Sequence, residues 1–157
     1  MIEQIMTEQA ATDQFVISEF EQGRAPGEFH HADHVRVAFA YVREFPMPEA
    51  LARFSAALKR FAALKGKPNL YHETITWAYL LLIGERMARA GKKQSWEEFS
   101  AKNGDLLVWR EGILQSYYRR ETLESELARA TFVFPYASLG GKIKQIIRRQ
   151  RRSSARL

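Results

Sequence analysis

Apolar residues recur at helical spacing along nearly the whole chain, and no stretch longer than Thr131 to Phe134 reads as a strand. A helix turns about 100° per residue, so apolar positions three and four apart fall on one face and demand a partner surface. Repeated along the chain with no βαβ alternation, this pattern restricts the fold to the all-α class. The architecture expected is a single-domain multi-helix bundle of about six to seven helices.

Stop and start signals divide the pattern. A first helix is expected from Thr7 to Gln22, with Phe15, Val16 and Phe20 inward and Gly23 ending it; Arg24-Ala-Pro-Gly follows as a loop. A second begins near His30 or His31 and ends before Pro46. Pro48 fits the first turn of a third, which carries Leu51, Phe54, Leu58 and Phe61 and stops at Gly66-Lys67-Pro68. The fourth is expected from near Asn69 to Ala90, and its centre, Trp77 to Ile83, is apolar nearly all round, as in a buried helix. Ser95 and Glu98 form a capping box for a short fifth helix. A sixth should run from Gly104-Asp105 through Val108, Ile113 and Tyr117, and a seventh from a Thr122 cap toward Ala130. Gly140-Gly141 reads as a hinge, giving a helical domain over 1–139 and a basic C-terminal tail over 140–157.

Charge is unevenly placed. The net charge is +6, but residues 142 to 157 hold seven of the 24 Lys+Arg and no acid, leaving 17 cations against 18 acids elsewhere. Basicity thus belongs to the tail. With Ile143, Ile146 and Ile147 at helical spacing, the tail is expected to be a short amphipathic helix docking on the body or a solvated terminus, or else to contact RNA, DNA or an anionic surface in a salt-dependent way. The chain has no cysteine, which removes disulfides, Cys-ligated zinc, iron–sulfur clusters and thiol nucleophiles. Its N-terminus, Met-Ile-Glu-Gln, lacks the basic and apolar regions of a signal peptide, and no apolar run is long enough for a bilayer span. A cytoplasmic protein without membrane contact is expected, and its apolar helix faces would equally suit a homodimer.

All four histidines fall in two motifs, Phe29-His-His-Ala-Asp-His34 and Tyr71-His-Glu-Thr-Ile-Thr76. On the second helix His31 and His34 share a face with Val35, Ala38, Val42 and Phe45, whereas Asp33, Arg36, Arg43 and Glu44 take the opposite, solvent side. His30 lies at the edge, suited to a loop or cap. On the fourth helix His72 shares a stripe with Thr76, Tyr79 and Ile83. Glu73 lies toward Trp77, Leu80 and Met87, where a carboxylate needs a partner, and Thr74, Ala78, Glu85 and Arg89 form the exposed stripe. If helices two, three and four run up, down, up, both motifs occupy first turns at the same end of the bundle.

Three imidazoles beside a carboxylate suit zinc or iron, with an open position for water or substrate. In that reading His31, His34 and His72 are metal ligands and Glu73 is a fourth ligand or the general base, acting on a small molecule. A metal-free reading uses the same place: two helix N-termini facing one cavity favour a small anion and keep the imidazoles neutral, with Tyr41, Tyr71 and Tyr79 as further hydrogen-bonding groups. A third uses the same groups as a buried polar network of no function beyond stability. There is no phosphate-binding glycine loop and no nucleophile elbow.

Both histidine motifs, the run Ala38 to Val42 and the segment Trp77 to Ile83 resemble those of small all-helical bacterial proteins with no established activity. The resemblance spans about half the chain. It implies a single helical domain and draws attention to the histidine motifs, and it implies nothing about a reaction.

Overall fold

Gly23, Gly66 and Gly91 each adopt a positive φ, of 69°, 70° and 87°, and each stands where a helix has just ended. Only glycine enters this backbone region without steric cost, so the three fix the main breaks of the chain. The computed structural model describes residues 1–24, 28–91 and 94–135. Within them it is all-α, with seven helices: α1 (Ile2–Glu21), α2 (His31–Glu44), α3 (Met47–Leu64), α4 (Glu73–Ala90), α5 (Trp96–Lys102), α6 (Arg120–Leu123) and α7 (Glu126–Ala130). The expected loop after Arg24 falls largely outside the described residues, as does the basic tail at 140–157. No helix of the described residues is long and apolar enough to cross a membrane.

The helix α1 starts earlier than expected and turns a different stripe inward. Asp13, Ile17 and Phe20 are buried, Val16 is half-buried, and Phe15 is 65% exposed rather than inward. Phe20 anchors an aromatic cluster, with ring centroids 5.6 Å from Phe29, 5.7 Å from Phe54 and 5.2 Å from Phe61. That cluster ties α1 to α3 and to the residue pair leading into α2.

The solvent-side face expected on α2 is partly covered as well. Arg36 and Arg43 reach the fully buried carboxylate of Asp13, with Arg36 Nη2 2.7 Å and Arg43 Nε 3.5 Å from its oxygens. Arg36 also lies over the rings of Trp96 and Phe39. Long guanidinium stems can pack along apolar surface, so helical position alone does not make these two residues solvated.

The helix α4 packs against α2, α3 and α7. It begins at Glu73, not near Asn69, because Pro68–Leu70 forms a separate 3-10 turn. Its expected exposed stripe is half wrong: Thr74 and Ala78 are buried and Leu81 is 38% exposed. The reason lies at the far end of the described chain. Thr74 Oγ1 donates to Thr131 O at 2.8 Å and accepts from Val133 N at 3.0 Å, so the segment after α7 covers this side of α4.

The expected sixth helix does not form. Residues 104–117 fold as two 3-10 turns, Gly104–Leu106 and Ile113–Ser116, joined by a reversal at Glu111-Gly112. Arg86 on α4 holds the first of these turns through a bidentate pair with Asp105 and a 3.0 Å bond to Asn103 Oδ1. The expected seventh helix is divided into α6 and α7. Ser125 caps α7, its hydroxyl accepting from Ala128 N, where Thr122 was expected to serve. The Ser95–Glu98 capping box of α5 forms as expected, with both bonds present.

Candidate functional site

Both histidine motifs mark helix starts. His30 is the N-cap of α2, where Asp33 reaches back to its backbone N–H at 2.8 Å. His72 is the N-cap of α4, its Nδ1 accepting from Ile75 N at 3.2 Å. The ring's other nitrogen, Nε2, donates to Leu123 O at 2.8 Å. A carbonyl can only accept, so this contact assigns the proton to Nε2, and both nitrogens of His72 are engaged.

Between the first turns of α2 and α4 and the C-terminal half of α3 lies a cavity of about 850 Å³. This volume is in the range of small-molecule pockets. His31, His34 and His72 all line it. From α2 come Val35 and Ala38; from α3, Phe54, Leu58 and Phe61; from α4, Ile75, Thr76 and Tyr79. Phe29 and Trp109 complete the aromatic wall. The expected shared end of the two motifs is therefore present.

The histidines differ in what they touch. His31 donates through Nε2 to Leu106 O at 2.9 Å, with its ring 4.9 Å from Tyr79 and 5.2 Å from Trp109. Burial holds its pKa below the usual histidine range. His34 is half-buried against Phe29, ring centroids 4.3 Å apart, and no described residue hydrogen-bonds its ring. Burial, reinforced by neighbouring His31, pushes its pKa down to about 4. His34 is thus a neutral imidazole near pH 7, with hydrogen-bonding capacity left for a bound molecule or water. His72 is lowered too, first by burial and then, against the opposing Leu123 bond, by the positive charge of Arg129. The Tyr79 hydroxyl likewise has no hydrogen-bond partner among the described residues, and burial pushes its pKa up to about 12.

Glu73 stands apart. It does not line the cavity; its carboxylate accepts from Tyr71 Oη at 2.8 Å and lies 3.5 Å from Lys59 Nζ. The partner that a carboxylate on this side requires is thus a tyrosine and a lysine. Tyr41 is also elsewhere, fully buried and donating to Glu21 on α1. Among the described residues, no group of three or more His, Asp or Glu side chains is placed to hold a metal ion. Ligation by His72 would require it to give up the cap of α4 or its bond to Leu123.

Several lining residues had no signal in the spacing. Trp109 was expected on a helix but sits on the reversal at Glu111-Gly112, which is built for close approach. A Cβ at Gly112 would lie 2.5 Å from Val108 O and 3.3 Å from Tyr79 Oη, and Glu111 takes φ 52°, in the left-handed region. This turn holds Trp109, 56% exposed, beside His31 at the cavity wall. Strain of this kind persists only where the surroundings enforce it. Among the described residues, Lys65, Lys67, Arg129 and a single acid, Glu28, also border the cavity. A second cleft adjoins it, sharing His72, Ile75, Tyr79, Trp109 and Arg129. No protein-family model, curated protein or solved structure matches the chain.

Proposed function

We propose that the chain is a ligand-binding protein whose cavity takes one small organic molecule with a flat or apolar body, held without a metal ion. The observation that carries this reading is an aromatic-walled space of about 850 Å³ lined by a neutral His34 ring and the Tyr79 hydroxyl, neither with a hydrogen-bond partner among the described residues. A pocket of mostly apolar lining with a few convergent polar groups is the usual form of a small-molecule site. The apolar walls supply affinity through desolvation, and the imidazole and phenol fix orientation.

The competing proposal is zinc or iron held by His31, His34 and His72, with Glu73 as ligand or base of a metal-dependent enzyme. It draws on the three histidines' shared cavity. Against it stand the engaged nitrogens of His72 and the carboxylate of Glu73, which lies outside the lining and is paired with Tyr71 and Lys59.

Isothermal titration with cinnamyl alcohol, a neutral ring-plus-chain probe, separates the two. One saturable site is expected, unchanged by EDTA and lost in Leu58→Trp, which adds bulk to the lining from a half-buried position. Near-stoichiometric zinc or iron in protein purified without a nickel column, lost in His34→Ala, would overturn the metal-free reading.

A further inference from the structure

The rim of the cavity carries a charge pattern that a neutral ligand does not explain. Lys65, Lys67 and Arg129 border the space with one acid, Glu28, which is exposed and lies 3.4 Å from His30. Among the described residues Arg129 has no carboxylate partner, as Arg60, Arg110 and Arg119 have none, but of these four it alone borders the cavity.

Its guanidinium is nevertheless fixed. Nη1 donates to Asn69 O at 3.0 Å and to Tyr71 O at 3.4 Å, in the turn that leads into α4. Both contacts use the same nitrogen, so Nε and Nη2 are left without a partner among the described residues. Those two N–H groups lie side by side on one edge of the planar group. That edge matches the two oxygens of a carboxylate, and an anchored guanidinium loses little freedom on engaging them.

Resting on the binding function proposed above, we infer that the cavity's ligand is an organic carboxylate. Its ring or chain occupies the space among Phe29, Phe61 and Tyr79, and its carboxylate is clamped by Arg129 at the rim. Lys65 and Lys67 add a screened, longer-range attraction. The complementary charge raises affinity for the acid over its neutral isostere without altering how the apolar body binds.

Cinnamate and cinnamyl alcohol form the matched pair for titration of the full chain. Wild type is expected to bind cinnamate at least about tenfold more tightly than the alcohol, the factor that one charge-assisted pair supplies. In Arg129→Gln most of cinnamate's advantage over the alcohol should go, leaving the small screened part that Lys65 and Lys67 supply; the ratio of the two affinities is the readout. Arg129→Lys keeps the charge and lacks the fork, so it should lose most of the advantage as well.

Equal affinities in wild type, or a loss in Arg129→Gln that is the same for both probes, would overturn the carboxylate clamp and leave the binding function standing. Tighter binding of cinnamyl phosphate than of cinnamate would overturn the carboxylate assignment in favour of a phosphate ester. If neither cinnamate nor the alcohol binds wild type, the binding function fails, and the clamp fails with it.

Discussion

Asp13 shows how a single residue can be decisive and still be illegible in sequence. Its carboxylate is fully buried between α1 and α2, facing Arg36 and Arg43. Removing one member of a buried ionic group strands the others in a low-dielectric site. Asp13→Ala should therefore lower the unfolding free energy by about 3 kcal/mol in urea titrations, far more than a surface acid would. A loss near zero would mean that the two arginines are solvated. Nothing in the periodicity of α1 or α2 marks this group, because each charged residue reads as solvent-facing until a second helix covers it. His34 makes stability depend on pH. Folding lowers its pKa from 6.5 to about 4, so between those values the unfolded chain binds more protons than the folded one. Stability should fall as pH drops from about 6.5 toward 4 and gain no further loss from this group below that, with a total of about 3 kcal/mol at most. His31 and His72 shift in the same direction and add to the slope. Melting curves of His34→Gln should be flatter over this range than those of wild type; an unchanged pH slope would contradict the buried neutral imidazole.

Elements whose ends carry capping chemistry were readable, and those defined by distant contacts were not. The Ser95–Glu98 box, Pro48 in the first turn of α3 and the stops at Gly66 and Gly91 fix their boundaries through local bonds and local φ. The segment 104–117 has helix-compatible apolar spacing, yet Arg86 pins its start and Tyr79 and the carbonyls of Val108 and Trp109 crowd Gly112. Tertiary contacts there override a weak local preference. The reversal makes its own prediction. Glu111 occupies the left-handed region without being glycine, at a cost of about 1 kcal/mol. Glu111→Gly should stabilise the protein by at most a few tenths of a kcal/mol in denaturant titrations, because the entropy that glycine adds to the unfolded chain, about 0.4–1 kcal/mol, offsets most of the relieved strain. Destabilisation by about 1 kcal/mol or more would show that the Glu111 side chain contributes more than its backbone strain costs.

Across the whole molecule, one topological condition decides whether the histidine motifs meet: α2 and α4 must start at the same end of the bundle. They do, and His31, His34 and His72 line one cavity as a result. The chemistry of that cavity was less legible. Spacing locates a histidine on a face, but it does not show that His72 spends both nitrogens on a helix cap and a carbonyl, or that Glu73 pairs with Tyr71 and Lys59. Nor does it bring Trp109 and Arg129, from the far third of the chain, to the wall and rim. On the proposed function, a small organic molecule occupies this space without a metal. Methyl-resolved NMR of EDTA-treated protein titrated with cinnamyl alcohol tests it most directly. Methyl signals of Val35, Ala38, Leu58 and Ile75 should shift together and saturate at one equivalent, with Ile17 and Leu81 unmoved. Shifts scattered over exposed positions such as Leu81 and Leu127, or no shifts until zinc or iron is added, would contradict the account.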